Sequence, residues 1–156
     1  MKMKYWPWIA LGLILGVGVA GGESFAHGDE EHAGRHEAAE HMQAMMALKD
    51  KIPEEFRIME RTPIIPDDES LAQGKDLYRQ QCVVCHGKEG RGDGPAAKNM
   101  STPPANFLNV EHSNIYGPGE KYWIIGHGSG KTGMPGFSQI GLVDRWNLVN
   151  FVLDLQ

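Results

Sequence analysis

Cys82, Val83, Val84, Cys85 and His86 form a C-x-x-C-H run that holds both cysteines of the 156-residue chain. Two thiols so spaced on one helical turn can add across the two vinyl groups of a single porphyrin. The imidazole that comes next then faces the iron, and this spacing is that of c-type haem attachment. Three other chemistries use the same residue types. A thioredoxin-like dithiol wants a preceding strand and a following helix within a βαβ pattern, and no convincing alternating strand is legible. A structural zinc site closes with four ligands, but no second cysteine pair exists. A plain disulfide leaves His86 without a role.

A haem iron held by His86 has a second axial position to fill. Met134 stands in the loop sequence Gly133-Met134-Pro135-Gly136-Phe137. Methionines usually fill gaps in cores, but this one lies off any periodic apolar face. A thioether opposite an imidazole favours the ferrous state and raises the potential. His112 and His127 compete for the position, and spacing alone leaves a bis-histidine site open. The expectation is His86 and Met134 as the axial pair, with no open coordination position.

The N-terminus has the form of an address. Lys2 and Lys4 precede an apolar run over 5–22, and Ser24-Phe25-Ala26 offers small residues at a cleavage site. Residues 1–26 are therefore expected to be a secretory signal peptide, or a membrane anchor through 5–22 if uncleaved. Both alternatives place the remainder in the periplasm, and membrane contact arises only in the second.

Charge divides the chain beyond residue 26 into two parts. Residues 27–69 carry 12 acidic and 5 basic side chains, whereas 70–156 carry 7 and 8. With 41% apolar and 22% charged residues a packed core is expected. A net charge of −5 gives no chain-wide basic footprint for nucleic acid. Two cysteines exclude a disulfide-dense scaffold. The expected organisation is a leader over 1–26, an acidic His/Met-rich extension and linker over 27–68, and a compact domain over 69–156.

The extension predicts a helix over 31–49, from its helix formers, then a Pro-broken linker lying along the domain or floating free. His27, His32, His36 and His41, followed by Met42, Met45 and Met46, offer imidazole and thioether groups that suit copper, and imidazoles that suit zinc. They are candidate ligands of an extra metal; the plain alternative is a solvated acidic helix. The compact domain should be all-α. Asp67, Asp68 and Ser70 cap a helix over 69–81, a shorter helix spans 119–127, and apolar periodicity marks a last helix over 141–154. Residues 86–118 are loop with at most short helical turns.

With these elements in place the chain resembles the class I c-type cytochromes, especially the bacterial mono-haem kind. The resemblance rests on Gly74-Lys75-Asp76-Leu77-Tyr78, the C-x-x-C-H run, Gly90 to Ala97, Pro103-Pro104-Ala105-Asn106-Phe107, Trp123, Met134-Pro135 and the Trp146 to Val152 segment. It covers about 69–156. It implies a cytochrome c-like fold of a few helices around one covalent haem c, with first and last helices crossing at Gly74 and Tyr78 meeting Trp146 or Phe151. It implies that a proline-loop carbonyl, Pro95 being the match, holds the second nitrogen of His86. Tyr122 and Trp123 are then candidate donors to a haem propionate, or simply core. Lys75, Lys88, Arg91, Lys98, Lys121 and Lys131 would rim an exposed haem edge and steer a redox protein partner. The implied function is one-electron transfer, as a carrier or as a subunit of a larger oxidoreductase. The alternatives are a haem-linked copper- or zinc-handling protein and a haem sensor or enzyme with a displaceable sixth ligand.

Overall fold

A computed structural model describes residues 41–156. Among these the chain is helical with no named strand: α1 over 41–49, α2 Glu54–Arg57, α3 Asp68–Gln81, α4 Val83–His86, α5 Val110–Ser113, α6 Pro118–His127 and α7 Leu142–Asp154, with a 3-10 turn at Ala97–Asn99. The all-α expectation holds. None of these helices is long and apolar enough to cross a membrane. The expected leader, the 5–22 segment, the 31–40 part of the first helix, and His27, His32 and His36 lie outside the described residues.

The crossing of α3 and α7 is the most extensive helix–helix contact. α3 starts where its acidic residues predict: the Asp67 side chain accepts the Ser70 N–H at 2.9 Å, which satisfies one of the helix's orphan donors. Close approach depends on Gly74, where a Cβ would overlap the Asn147 backbone carbonyl. Tyr78 packs against Phe151, ring centroids 5.3 Å apart, and its hydroxyl donates to the Gly87 carbonyl at 2.8 Å. α7 is buried continuously from Arg145 to Val152, so it is the central helix rather than one with a wet face. Its buried amides are spent internally. Ser70 Oγ donates to Asn147 Oδ1, while Asn150 Nδ2 donates to Ser70 Oγ and to the Ile64 carbonyl. Such pairing is what makes buried polar groups tolerable.

The extension does not float free. Ile52 is 1% exposed and Met45 8%. The Phe56 ring stacks on Tyr122 at 5.9 Å, and Gly119 N–H donates to the Met59 carbonyl at 3.5 Å. Lys49 Nζ donates to the Ile115 carbonyl at 2.6 Å and lies 3.3 Å from Glu120 Oε2; Tyr116 Oη donates to the Met45 carbonyl at 2.9 Å. The stripe His41, Met45, Leu48, Ile52 has helical spacing and is the signal in the sequence that anticipates this docking.

Candidate functional site

An apolar cavity of about 220 Å³ lies between the α3–α4 corner, the 100–107 loop, α6 and the 128–137 loop. Cys82, Cys85, His86 and Met134 all line it. The three elements that carry them are each fixed by backbone hydrogen bonds.

α4 is a single turn that continues from α3. The Cys82 carbonyl accepts from Cys85 and His86 N–H, at 3.1 and 2.9 Å. This places both thiols and the imidazole on one short surface, as the C-x-x-C-H spacing predicts. The free Cys82 thiol is pushed up to about 12, first by burial and then by Cys85. Such a thiol is a poor exchange nucleophile, which disfavours the thioredoxin-like alternative.

His86 Nδ1 faces the Ala105 carbonyl at 3.1 Å, and its ring stacks on Phe107 at 4.7 Å. Burial lowers its pKa, opposed by the bond to Ala105. The ring is thus a neutral imidazole with Nδ1–H anchored, which leaves Nε2 as the ligating nitrogen. The holding carbonyl is therefore that of Ala105 and not that of Pro95, a correction to the sequence expectation. The neighbours of Pro95 explain it: Gly94 and Ala96 N–H groups are bonded to the Cys85 and Val84 carbonyls, so Pro95 caps the carbonyl end of α4. A backbone carbonyl gives no side-chain signal, but the Pro103-Pro104 pair before it marks a fixed loop.

Met134 enters from the opposite loop. Gly128 ends α6 at φ 75°, where a Cβ would collide with the Pro135–Gly136 backbone. Ser129 N–H then donates to the Met134 carbonyl at 2.9 Å, and Phe137 N–H to the Ile125 carbonyl at 2.8 Å. Arg145 Nη2 donates to the Ile140 carbonyl at 3.1 Å from beneath, its guanidinium 4.8 Å over the Tyr122 ring. Met134 is half-buried. Met45 and Met100 line the same cavity, so three thioethers reach it where sequence spacing singles out one. His112 also lines it, whereas His127 does not; its exposed ring stacks on Trp123 at 4.2 Å.

Tyr122 and Trp123 do not line the cavity. Tyr122 is buried between Phe56 and Trp146, the latter 4.2 Å away. The packing alternative therefore describes both better than propionate donation, because their face of α6 turns to α2 and α7. Lys121 is the other correction: it is 8% exposed, whereas Lys75, Lys88, Arg91, Lys98 and Lys131 are exposed as expected. Its ammonium donates to the Ser113 and Tyr116 carbonyls. His41 belongs to no metal cluster among the described residues, where no group of three or more His, Cys, Asp or Glu side chains is placed to hold an ion. Its ring stacks on His112 at 4.9 Å, and both line the cavity.

Two thiols, an anchored imidazole, thioethers and apolar walls around one space fit a covalent haem. The comparisons agree. The family model described as cytochrome c oxidase, cbb3-type, subunit III matches residues 69–152. A solved chain of the Kuenenia stuttgartiensis reducing HAO-like protein complex is similar at 29% identity and a TM-score of 0.52, over 60% of this chain and 46% of that one. This chain thus spans less than half the length of that relative. No curated protein matches.

Proposed function

Because the chain belongs to this family of class I c-type cytochromes, with one haem c bound covalently and electron transfer as the family's chemistry, we propose that it is an exported mono-haem electron carrier, or the electron-transfer subunit of a larger oxidoreductase, with His86 and Met134 as axial ligands. The haem supplies one-electron exchange between ferric and ferrous iron. Cys82 and Cys85 tether it. His86 offers Nε2 while Ala105 holds Nδ1, and the Gly128 turn presents the Met134 thioether from the facing loop. The single observation that carries the reading is that these four side chains line one apolar cavity. With both axial sites taken by the protein, no position is left for substrate. Apolar walls keep water from the iron and favour a raised potential.

Val84, between the two cysteines, is 51% exposed, which leaves an edge of the haem-bearing turn open to a partner. The likeness to a chain of a protein complex supports protein partners as donor and acceptor. Export rests on the basic, apolar and small-residue succession of 1–26. N-terminal sequencing of the mature protein tests it, and an unprocessed Met1 in the soluble fraction would refute it.

The near-infrared spectrum of the oxidised holoprotein tests the ligation. The weak sulfur-to-iron band should be present, lost in Met134→Ala, and kept in Met45→Ala and Met100→Ala. Loss in either of the latter, with retention in Met134→Ala, reassigns the sixth ligand. Absence of the band in the wild type points to His112 or an open position. The native ferrous protein should resist carbon monoxide; ready binding would support a sensor or enzyme instead.

A further inference from the structure

The cavity is apolar except at one end, where α1, the α5 turn and α6 meet. Lys121, His112 and His41 stand there. Lys121 is buried, and its ammonium has three N–H groups, two of them given to the Ser113 and Tyr116 carbonyls. None of the ion pairs among the described residues includes it. The carboxylate next to it in sequence, Glu120, spends Oε2 on Lys49 and on the Gly117 N–H. The His112 ring nitrogens have no protein partner among the described residues, and that ring lies against His41. A buried ammonium without a counter-charge is unfavourable unless something anionic joins it.

A haem is an apolar disc with two carboxylates on the edge away from its vinyl groups. In a site whose walls are otherwise apolar, those carboxylates go where hydrogen-bond donors are. We propose that Lys121, His112 and His41 form the seat of the haem carboxylates, and that His41 brings the extension, which lies outside the family match, into the cofactor site. The proposal rests on the haem reading above. It extends that reading to a segment which neither the C-x-x-C-H motif nor the matched residues 69–152 include. α1 is held in place for this by the Tyr116-to-Met45 and Lys49-to-Ile115 bonds. Burial lowers the Lys121 ammonium to about 8, with Glu120 acting to raise it and Lys49 to lower it, consistent with a cation that lacks its anion in the protein alone.

The test compares the wild-type holoprotein with Lys121→Met, His41→Ala and the surface control Lys98→Met. Resonance Raman spectroscopy reads the propionate bending vibrations, and potentiometry reads the reduction potential. All four should carry covalent haem and keep the sulfur-to-iron band. Lys121→Met should shift the propionate vibrations and lower the potential, because removing a cation beside the haem stabilises the ferric state. His41→Ala, a change at a half-buried helix position that leaves the core intact, should shift the same vibrations, while Lys98→Met leaves them unchanged. Wild-type vibrations and potential in both Lys121→Met and His41→Ala overturn the proposal. A vibrational shift in Lys121→Met alone removes His41 and the extension from the site. A wild type without covalent haem sinks the haem reading itself, a result distinct from either.

Discussion

Replacing Gly74 by alanine sets two physical effects against each other. Within a helix, Gly to Ala is favourable by about 1 kcal/mol on propensity alone. At this position, however, the new Cβ meets the Asn147 carbonyl carbon at 2.7 Å and Phe151 Cβ at 2.8 Å. Backbone cannot rotate aside, so α3 and α7 must separate. Overpacking of this sort costs about 1–3 kcal/mol. Separation also stretches the Ser70–Asn147 and Asn150–Ser70 bonds, at 2.8 and 2.9 Å, worth about 1 kcal/mol each. The balance is a loss of about 2–4 kcal/mol. For a chain of this length that lowers the melting midpoint by roughly 5–15 °C. The assay is thermal unfolding of the holoprotein by circular dichroism. Gly130→Ala serves as control, because a Cβ there meets nothing within 4 Å, and it should stay within about 0.5 kcal/mol of wild type. A Gly74→Ala midpoint at or above wild type would refute the close-packed crossing, since propensity would then have prevailed.

The same geometry sets three further expectations. Phe107→Ala removes the ring stacked on His86 and should destabilise the holoprotein by about 2–3 kcal/mol, less than a fully buried Phe, as urea unfolding will read. Arg145→Met removes the donor beneath the Met134 loop; it should raise carbon monoxide binding by the ferrous protein and weaken the sulfur-to-iron band, and unchanged ligand exclusion would show that the loop holds itself. The Cys82→Ala, Cys85→Ala double variant, unable to tether haem, should show no cooperative melt in calorimetry, because so small a domain has too little core without the cofactor; a native-like transition contradicts this.

The crossing helices and their limits are legible in the sequence because they rest on local rules. Asp67 caps α3, Gly74 marks a close approach, and the spacing from Leu142 to Leu153 marks α7. The haem motif is legible because two cysteines and a histidine at fixed spacing have few other uses. The features that stay hidden are set by tertiary context. The Ala105 carbonyl that holds His86 is a backbone atom, and any residue there carries one. Lys121 has the sequence context of a surface charge, because its burial depends on the carbonyls of Ser113 and Tyr116, which only the fold brings to it. Tyr122 and Trp123 are ambiguous in sequence because aromatic residues serve both packing and hydrogen bonding, and only the facing of α6 decides. The docking of α1 is half-legible: its apolar stripe is present, but the acidic composition around it suggests a solvated arm.

The most direct test of the central claim is acidified-acetone extraction of the purified, haem-matured protein, followed by its reduced pyridine haemochrome spectrum. Haem that stays with the polypeptide, and shows the haemochrome of a porphyrin joined through two thioethers, is the result the geometry of Cys82, Cys85 and His86 predicts. Haem that leaves with the solvent, or a protein that never acquires any, would contradict it and return the two cysteines to thiol or metal chemistry.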